Sequence, residues 1–559
     1  MSSDNGPLNR RSFLKAATAG GVAGLTTLAG CTGGGDGDGE GDGDGNNNAG
    51  PGAGLQTYTY VNNSQSYNPP RHDAINLIAR QFNDLGLDVK VDVLEWGTLY
   101  NRVSVEYNYS FSTWHTFFTV DPVLELSNTM HSSKTGSGDG NYAGYENPDL
   151  DELLDSYMAD PDKNSRVETI HEVQKTLMDD VPQMPITHMP AAAVYNKQQT
   201  GNWQPELSQG FNSYWTMVNL EMKGGETTLK GYWPETLSTM NVLGHNDENK
   251  HTYQFEVMYD TLVRLDNTGN INHDVSLATE SNRVDETTIE YTIRTDHSWH
   301  DGEDLTAEDV AFTYNYLAEK EIPVYSVQAE YIEGAEVVDD STVRINMAKP
   351  LGPFNTLVGT QIPIIPQHKW ESRNEPSQAN VEQPVGSGPL QFDYWNKGSE
   401  FGLKKFESHF APVAFEKRFW RIIPEASTVW ELLKSGELNY EPFGRIDRSL
   451  NENQDHEAIG TKFEPATSYW HFTPNERQTG LDDPVLRRAL VNAIPRTAIV
   501  DQILFGFPDK GSNVVSTAFG ELHTDDVPQY EEATEKARSR LESEGYSWND
   551  KDMLVGPDA

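Results

Sequence analysis

Residues 299–313 read Trp299-His300-Asp301-Gly302-Glu303-Asp304-Leu305-Thr306-Ala307-Glu308-Asp309-Val310-Ala311-Phe312-Thr313, and this stretch decides the fold. Asp301-Gly302 is turn chemistry, because Asp bonds its own backbone and Gly takes positive φ without a steric penalty. Thr306 followed by Asp309 has the spacing of a capping box, so a helix is expected to run on through Leu317. His300 beside Asp301 invites a metal or catalytic reading. Turn formation already accounts for the pair, and the motif reads as structural.

Working outward, residues 287–294 alternate at period two and predict a half-buried strand. Val337-Val338 and residues 342–346 predict a hairpin around Asp339-Asp340. Helices are expected at Pro484–Ile494, Pro495–Leu504 and Glu531–Glu544. Nearer the N-terminus, Ile75, Ile78, Ala79 and Phe82 recur at helical spacing between His72 and Leu85, with Gly86 as cap. Leu87, Val89, Val91 and Val93 then alternate with Asp88, Lys90 and Asp92 as a strand. Asn147-Pro148 opens a helix through Tyr157. Arg166–Met178 is another, with Val167, Ile170, Val173 and Leu177 inward. The mixture is α/β to α+β.

The chain has 559 residues, too many for one ordinary core, so at least two lobes are expected. Hydrophobic residues at 36% and aromatics at 10% are enough to build them. Net charge is −43, and almost all of it falls on the folding part of the chain. Self-repulsion on that scale calls for molar salt, where the Debye length is about 3 Å. A halophilic archaeal source is the expectation. The same charge argues against nucleic acid, which needs basic patches.

The N-terminus carries Arg10-Arg11, a weakly apolar stretch Ala16–Gly30, and Leu28-Ala29-Gly30-Cys31. This resembles a twin-arginine export signal ending in a lipobox, over residues 1–31, with Cys31 as the lipidated residue. Cys31 is the only cysteine, so no disulfide can form within the chain. Residues 32–54 are a Gly/Asp/Asn run too polar to offset their own ordering entropy, and read as a flexible tether. Their Asp-Gly spacing suggests a calcium loop, but Asn47 stands where a bidentate Glu is needed. Asn62 and Asn108 match glycosylation acceptors, a pattern common by chance.

From Thr227 onward the chain resembles the extracellular solute-binding proteins of the dipeptide/oligopeptide class, family 5 of the ABC importers. The resemblance rests on residues 259–265 (Tyr259-Asp260-Thr261-Leu262-Val263-Arg264-Leu265), on residues 299–313, and on residues 384–389 (Pro384-Val385-Gly386-Ser387-Gly388-Pro389). Residues 434–438 and 482–490 add to it. The section that follows in that family is resembled instead by residues 55–222, through the helix at 72–85, Leu94-Glu95-Trp96, residues 141–148 and residues 181–186. The chain thus reads as a circularly permuted, multi-lobed clamshell of the periplasmic-binding-protein-like class II fold, with the family's ends joined near Gly224-Gly225. The lobes are expected at 55–205 plus 476–559 (C-terminal type), 206–272 plus 385–475 (N-terminal type) and 273–384 (an additional small lobe). Ala559 is then expected near Leu55, and strand 55–61 in one sheet with strand 87–94.

What the resemblance implies is capture of a small solute, a peptide, oligosaccharide or similar, by hinge closure outside the cell, and delivery to ABC permease subunits in the membrane. The protein is expected to be a monomer, lipid-anchored on the outer face of the cytoplasmic membrane, with no cofactor and no metal. Candidate ligand contacts are Trp233 and Glu235 in the first loop of the N-terminal-type lobe, Tyr469, Trp470 and His471 where the chain crosses between lobes, and Trp114, His115, Phe117 and Phe118. Three adjacent rings on a strand alternate sides, so at least one of residues 469–471 is expected in the core. Peptide-binding relatives place an Asp two or three residues after the Trp, to accept the peptide ammonium. Here that place falls on Phe117 or Phe118, which sets sugars and other non-peptide ligands beside peptides.

A secreted hydrolase or a surface protein without a transport role are the rival classes. No Gly-x-Ser-x-Gly elbow is present, and His171-Glu172 lacks the second His of a zinc helix. The single cysteine is assigned to lipid. No enzyme is expected.

Overall fold

The computed structural model describes residues 54–557, apart from 118, 208, 235, 245–254 and 445. The export signal, Cys31, all but the last residue of the tether, and Ala559 therefore lie outside the described residues.

Strand β1 (Thr57–Asn63) leads into helix α1 (Pro69–Asp84). Asn68 caps the helix by accepting from Arg71 N–H, and prolines open its first turn, where their missing N–H costs nothing. The buried stripe is Ala74, Ile75, Ile78, Ala79 and Phe82, one residue in three or four. Burying a ring such as Phe82 is worth roughly 2–3 kcal/mol. Gly86, at φ +105, reverses the chain. Strand β2 (Asp88–Leu94) then returns parallel to β1, from Thr57 opposite Asp88 to Asn63 opposite Leu94. Val93, expected inward, is 49% exposed, because it sits near the end of an edge strand. Strand β3 (Phe111–Phe117) lies on the other side of β1.

Helices α2 (Val123–Met130), α3 (Pro148–Ala159) and α4 (Lys163–Asp180) follow, then the long strand β4 (Met184–Asn196). Asn147 caps α3 by accepting from Asp149 and Leu150 N–H. In α4, Ile170, Val173 and Leu177 are buried as expected, while Val167 is only half-buried.

Strand β5 (Thr228–Trp233) starts the next section. Strands β6 (Ala278–Arg283) and β7 (Thr288–Ile293) come next, then helix α5 (Ala307–Glu319). Strands β8 (Ile332–Asp339) and β9 (Thr342–Met347) form the expected hairpin. The four strands make an antiparallel sheet in the order β8-β9-β7-β6. The Thr306–Asp309 capping box is present, with both reciprocal bonds. Trp299 is fully buried, and its Nε1–H donates to Asp309 Oδ2 at 3.2 Å. The quoted motif is therefore a folding element: the buried Trp299 anchor and the helix cap share the Asp309 carboxylate.

Strands β10 (Leu390–Asn396), β11 (Glu400–Lys405) and β12 (Lys417–Ile422) make a second four-stranded sheet, β10-β11-β12-β5, with β5 parallel to β12. The turn before it packs against the chain at Met258, where a Cβ on Gly386 would meet Met258 O at 1.9 Å.

Short strand β13 (Tyr440–Glu441) and the long strand β14 (Ile459–Pro474) complete the largest sheet, in the order β13-β4-β14-β3-β1-β2, with Asp509–Lys510 also pairing to β4. Helices α6 (Pro484–Ala493) and α7 (Thr534–Ser543) pack on each other, and α6 on α1. Leu55 N–H donates to Leu554 O at 2.9 Å, and Leu554 N–H to Gly86 O at 2.7 Å. Segments 54–94 and 484–557 thus share one interior, which includes Tyr58, Phe82, Leu486 and Leu541. Asn62 is fully buried, which removes it as a glycosylation acceptor.

Candidate functional site: the crossing of the two long strands

β4 and β14 pair antiparallel from Ile459 opposite Asn196 to Phe472 opposite Met184. β3 covers only the Ser468–Pro474 half of β14. At the far end, β13 pairs with Tyr195 and Val194, and Asn439 N–H donates to Lys230 O of β5. The two strands therefore run from the β1–β3 part of the molecule to the β5–β12 part. Between the two parts the ladder breaks, from Glu464 to Ser468. A ladder break is where a pair of strands bends most easily.

A cavity of about 450 Å³ opens at this break. His188 and Pro190 of β4, and Phe463, Glu464 and Pro465 of β14, form one side. Asp509, Lys510 and His523 are on the other. Half-buried His188 is held neutral, its pKa pushed down to about 4 by desolvation and then by His523. Its Nδ1 has no hydrogen-bond partner among the described residues.

Strand register sorts the candidate residues. His471 stands opposite Trp114 and Tyr469 opposite Thr116, which puts Trp114, Tyr469 and His471 on one face. His188, opposite Tyr469 on β4, joins them, with rings 5.8 Å apart. Trp470, opposite His115, faces the other way, together with Phe472. Tyr469, Trp470 and His471 are 0%, 4% and 1% exposed, so all three are interior, where at least one was expected there. Burial, reinforced by His115, pushes the His471 pKa down to about 3. Its Nε2 lies 3.2 Å from Tyr142 OH.

Trp114 is the centre of an aromatic group at the C-terminal ends of the parallel strands. Its ring lies 5.4 Å from Trp96, 5.9 Å from Tyr100 and 5.0 Å from Tyr142. Trp96 in turn stacks on Tyr67, 5.5 Å apart at 8°, and the pair is among the few large exposed apolar groups. Trp114 Nε1 is buried with no hydrogen-bond partner among the described residues. In open α/β sheets, ligands sit beyond the carboxyl ends of the strands, which is where this group lies.

Trp233 is elsewhere. It ends β5, is 4% exposed, and packs edge-on against Phe443 at 5.1 Å. Glu235 and Phe118 lie outside the described residues, as does the side chain of Phe117.

Two acids near the aromatic group have distinct roles. Asp121 is spent structurally: Oδ1 accepts from Val123 N–H, and Oδ2 from Tyr157 OH. Glu125, in the first turn of α2, carries no signal of its own in the sequence. Burial pushes its carboxyl up to about 7, against a hydrogen bond with Asn128. It lies close enough to Tyr142 and Tyr469 to add to the effect of burial in raising both phenols. A second cluster, Asp260 with His297 and His409, could hold a metal ion. It lies in different segments from the crossing.

Residues 275–557 match the family described as bacterial extracellular solute-binding proteins, family 5 Middle, and the chain belongs to that family. It is 27% identical over 267 residues to the oligopeptide-binding protein AppA of Bacillus subtilis, covering 46% of this chain and 49% of that one. It is 25% identical over 282 residues to the dipeptide-binding protein of Escherichia coli, covering 46% and 52%. The solved structure of Bacillus subtilis AppA in complex with a nonapeptide aligns at 24% identity and a TM-score of 0.46, covering 59% of this chain and 66% of that one. The chain spans about half the length of the curated relatives it matches.

Proposed function

We propose that this protein is the substrate-binding component of an ABC importer, and that it captures a small solute by bending at the β4–β14 crossing. The observation that carries this reading is the pair of continuous strands joining two parts of the molecule, with a ladder break and a cavity at their midpoint. Two strands bend together about one line, which suits a clamshell. A ligand then shifts the population toward closure through contacts made only in the closed state. Binding without turnover is the reading, ahead of a hydrolase, because the relatives the chain matches are named as binding proteins.

The ligand contacts we assign are Trp114, Tyr469 and His471, which share one face of the sheet; His115 and Trp470 face the other way and Trp233 packs against Phe443, so these three are not assigned. Aromatic faces supply area, and the unpartnered Trp114 Nε1 supplies a donor. Glu125 takes the part of the missing peptide-anchoring Asp: a desolvated carboxyl gains most from a ligand ammonium. Peptides and other amines are therefore preferred over neutral sugars. That preference agrees with what the names of AppA and the dipeptide-binding protein say those proteins bind.

The chain order is read as a circular permutation. Its support is the backbone bonding of Leu55 and Gly86 to Leu554, and the interior shared by segments 54–94 and 484–557. The lobes keep the sequence-based boundaries: 55–205 plus 476–559, 206–272 plus 385–475, and 273–384. The remaining parts of the reading are twin-arginine export, lipid attachment at Cys31, a monomer outside the cytoplasmic membrane, permease subunits as partners and a halophilic source. They rest on Arg10-Arg11, the stretch before Cys31, and the net charge of −43. The test is thermal unfolding in molar salt against a panel of di- to nonapeptides and oligosaccharides. A ligand raises the midpoint with the logarithm of its concentration. A panel that is cleaved, or that leaves every midpoint unmoved, contradicts the reading.

A further inference from the structure

We propose that Asp260, His297 and His409 form a buried site for one divalent metal ion of the zinc class, serving structure rather than transport. The three residues are 1%, 4% and 4% exposed, and one ligand atom from each lies within 4.8 Å of the others. His297 Nε2 is 3.1 Å from Asp260 Oδ2, and His409 Nε2 is 3.2 Å from Asp260 Oδ1. Atoms bound to a common ion at about 2.0–2.2 Å stand roughly 3.0–3.5 Å from each other. The two His–Asp260 separations already have that length.

Two details make room for an ion in place of a hydrogen-bonded triad. First, His297 Nε2 faces two oxygens, Asp260 Oδ2 and Ser387 O at 2.9 Å. One N–H points along one line, whereas a cation set among the three atoms serves both oxygens and the nitrogen lone pair together. Second, His409 Nδ1 lies 3.0 Å from Ala411 O; Ala411 N–H can instead donate to it at 3.0 Å, so a bound ion selects the tautomer in which Nδ1–H donates to the carbonyl. A ligating histidine typically donates its second N–H to a backbone carbonyl, which turns the Nε2 lone pair toward the metal. In that tautomer the lone pair aims at the Asp260 carboxylate, and a cation between them removes the repulsion.

The surroundings close the site. Phe410 stacks on His409 at 4.2 Å and meets His297 edge-on at 5.0 Å, and Tyr214 stands 6.4 Å from His409. Two imidazoles and one carboxylate, without thiolate, suit zinc or cobalt better than calcium or magnesium, which prefer all-oxygen shells. The ligands come from three distant segments. Asp260 is fixed by Ile364 N–H donating to its carbonyl, His297 lies just before the Trp299 turn, and His409 follows β11. An ion here would tie residues 273–384 to the β10–β12 sheet. No His/Cys spacing in the sequence announces it, because no two ligands are neighbours.

The test is metal content after denaturation, refolding with one of Zn²⁺ or Co²⁺, and exhaustive dialysis in molar salt, which strips ions loosely held by the acidic surface. One equivalent per chain is expected, with a Co²⁺ d–d spectrum of nitrogen and oxygen ligation. The unfolding midpoint should fall with EDTA and recover with Zn²⁺. His409→Gln should abolish the bound equivalent. His131→Ala, which removes a surface histidine flanked by Asp151 and Asp155, should leave it intact. If His409→Gln does not fold, the wild-type stoichiometry and spectrum decide. Absence of stoichiometric metal in the wild type overturns the proposal, as does metal lost with His131→Ala and kept in His409→Gln.

Discussion

Leu55 and Leu554 share a backbone hydrogen bond of 2.9 Å, so the residues just before the first strand are tied to the C-terminal segment of the described chain. The join continues through Trp548, whose Nε1–H donates to Leu85 O at 2.7 Å, over the turn at Gly86. A Cβ on Gly86 would meet Trp548 Nε1 at 2.6 Å and Asp552 O at 2.7 Å, at a φ of +105. Gly86→Ala should therefore cost about 2 kcal/mol or more, from the backbone and the clash together. Urea unfolding in molar salt checks this. A neutral result would mean that segment 546–557 is not seated on α1 as described.

A contrast between glycines tests the turn that seats residues 384–389. Gly386→Ala drives a Cβ to 1.9 Å from Met258 O, backbone against backbone, and should prevent stable folding. Gly398→Ala, at φ +80 with nothing within 4 Å, should cost only about 1 kcal/mol. Soluble yield and thermal midpoint of the two variants should differ accordingly.

Acid should destabilise the protein through histidines held neutral by desolvation. His188 and His471 are pushed down to about 4 and about 3. Between those values and the ordinary histidine pKa near 6.5, the unfolded chain takes up protons that the folded one refuses, so stability rises with pH across this window. Unfolding midpoints should drop from pH 7 to pH 5, and His471→Gln should make the drop shallower. An unchanged slope would show that His471 is not buried neutral.

Glu125 works in the opposite sense. With its carboxyl at about 7, the folded state holds a proton that the unfolded state gives up above about 4.5, so its contribution weakens as pH rises toward 7. Glu125→Gln should flatten that decline. It should also weaken binding of amine-bearing solutes at least tenfold by calorimetry, while leaving neutral sugars unaffected. Equal loss for both classes would point to a packing role.

Local signals made much of the fold legible. The Thr306–Asp309 box, Asn147-Pro148 and the alternation of residues 287–294 each depend on neighbours in sequence, and each gave the observed element. The site depends on register across long separations and was harder to read. That His471 stands opposite Trp114, and Trp470 opposite His115, follows from pairing two strands far apart in the chain. Glu125 carried no signal of its own in a sequence with 85 acids, and only its burial beside Tyr142 and Tyr469 singles it out. Asp260, His297 and His409 were hidden for the same reason, since three separate turns bring them together.

Small-angle scattering in molar salt, with and without the most stabilising solute of the panel, tests the hinge most directly. Bending at the Glu464–Ser468 break predicts a smaller radius of gyration on saturation, together with the rise in unfolding midpoint. A saturated protein whose radius of gyration does not change would contradict closure at the β4–β14 crossing.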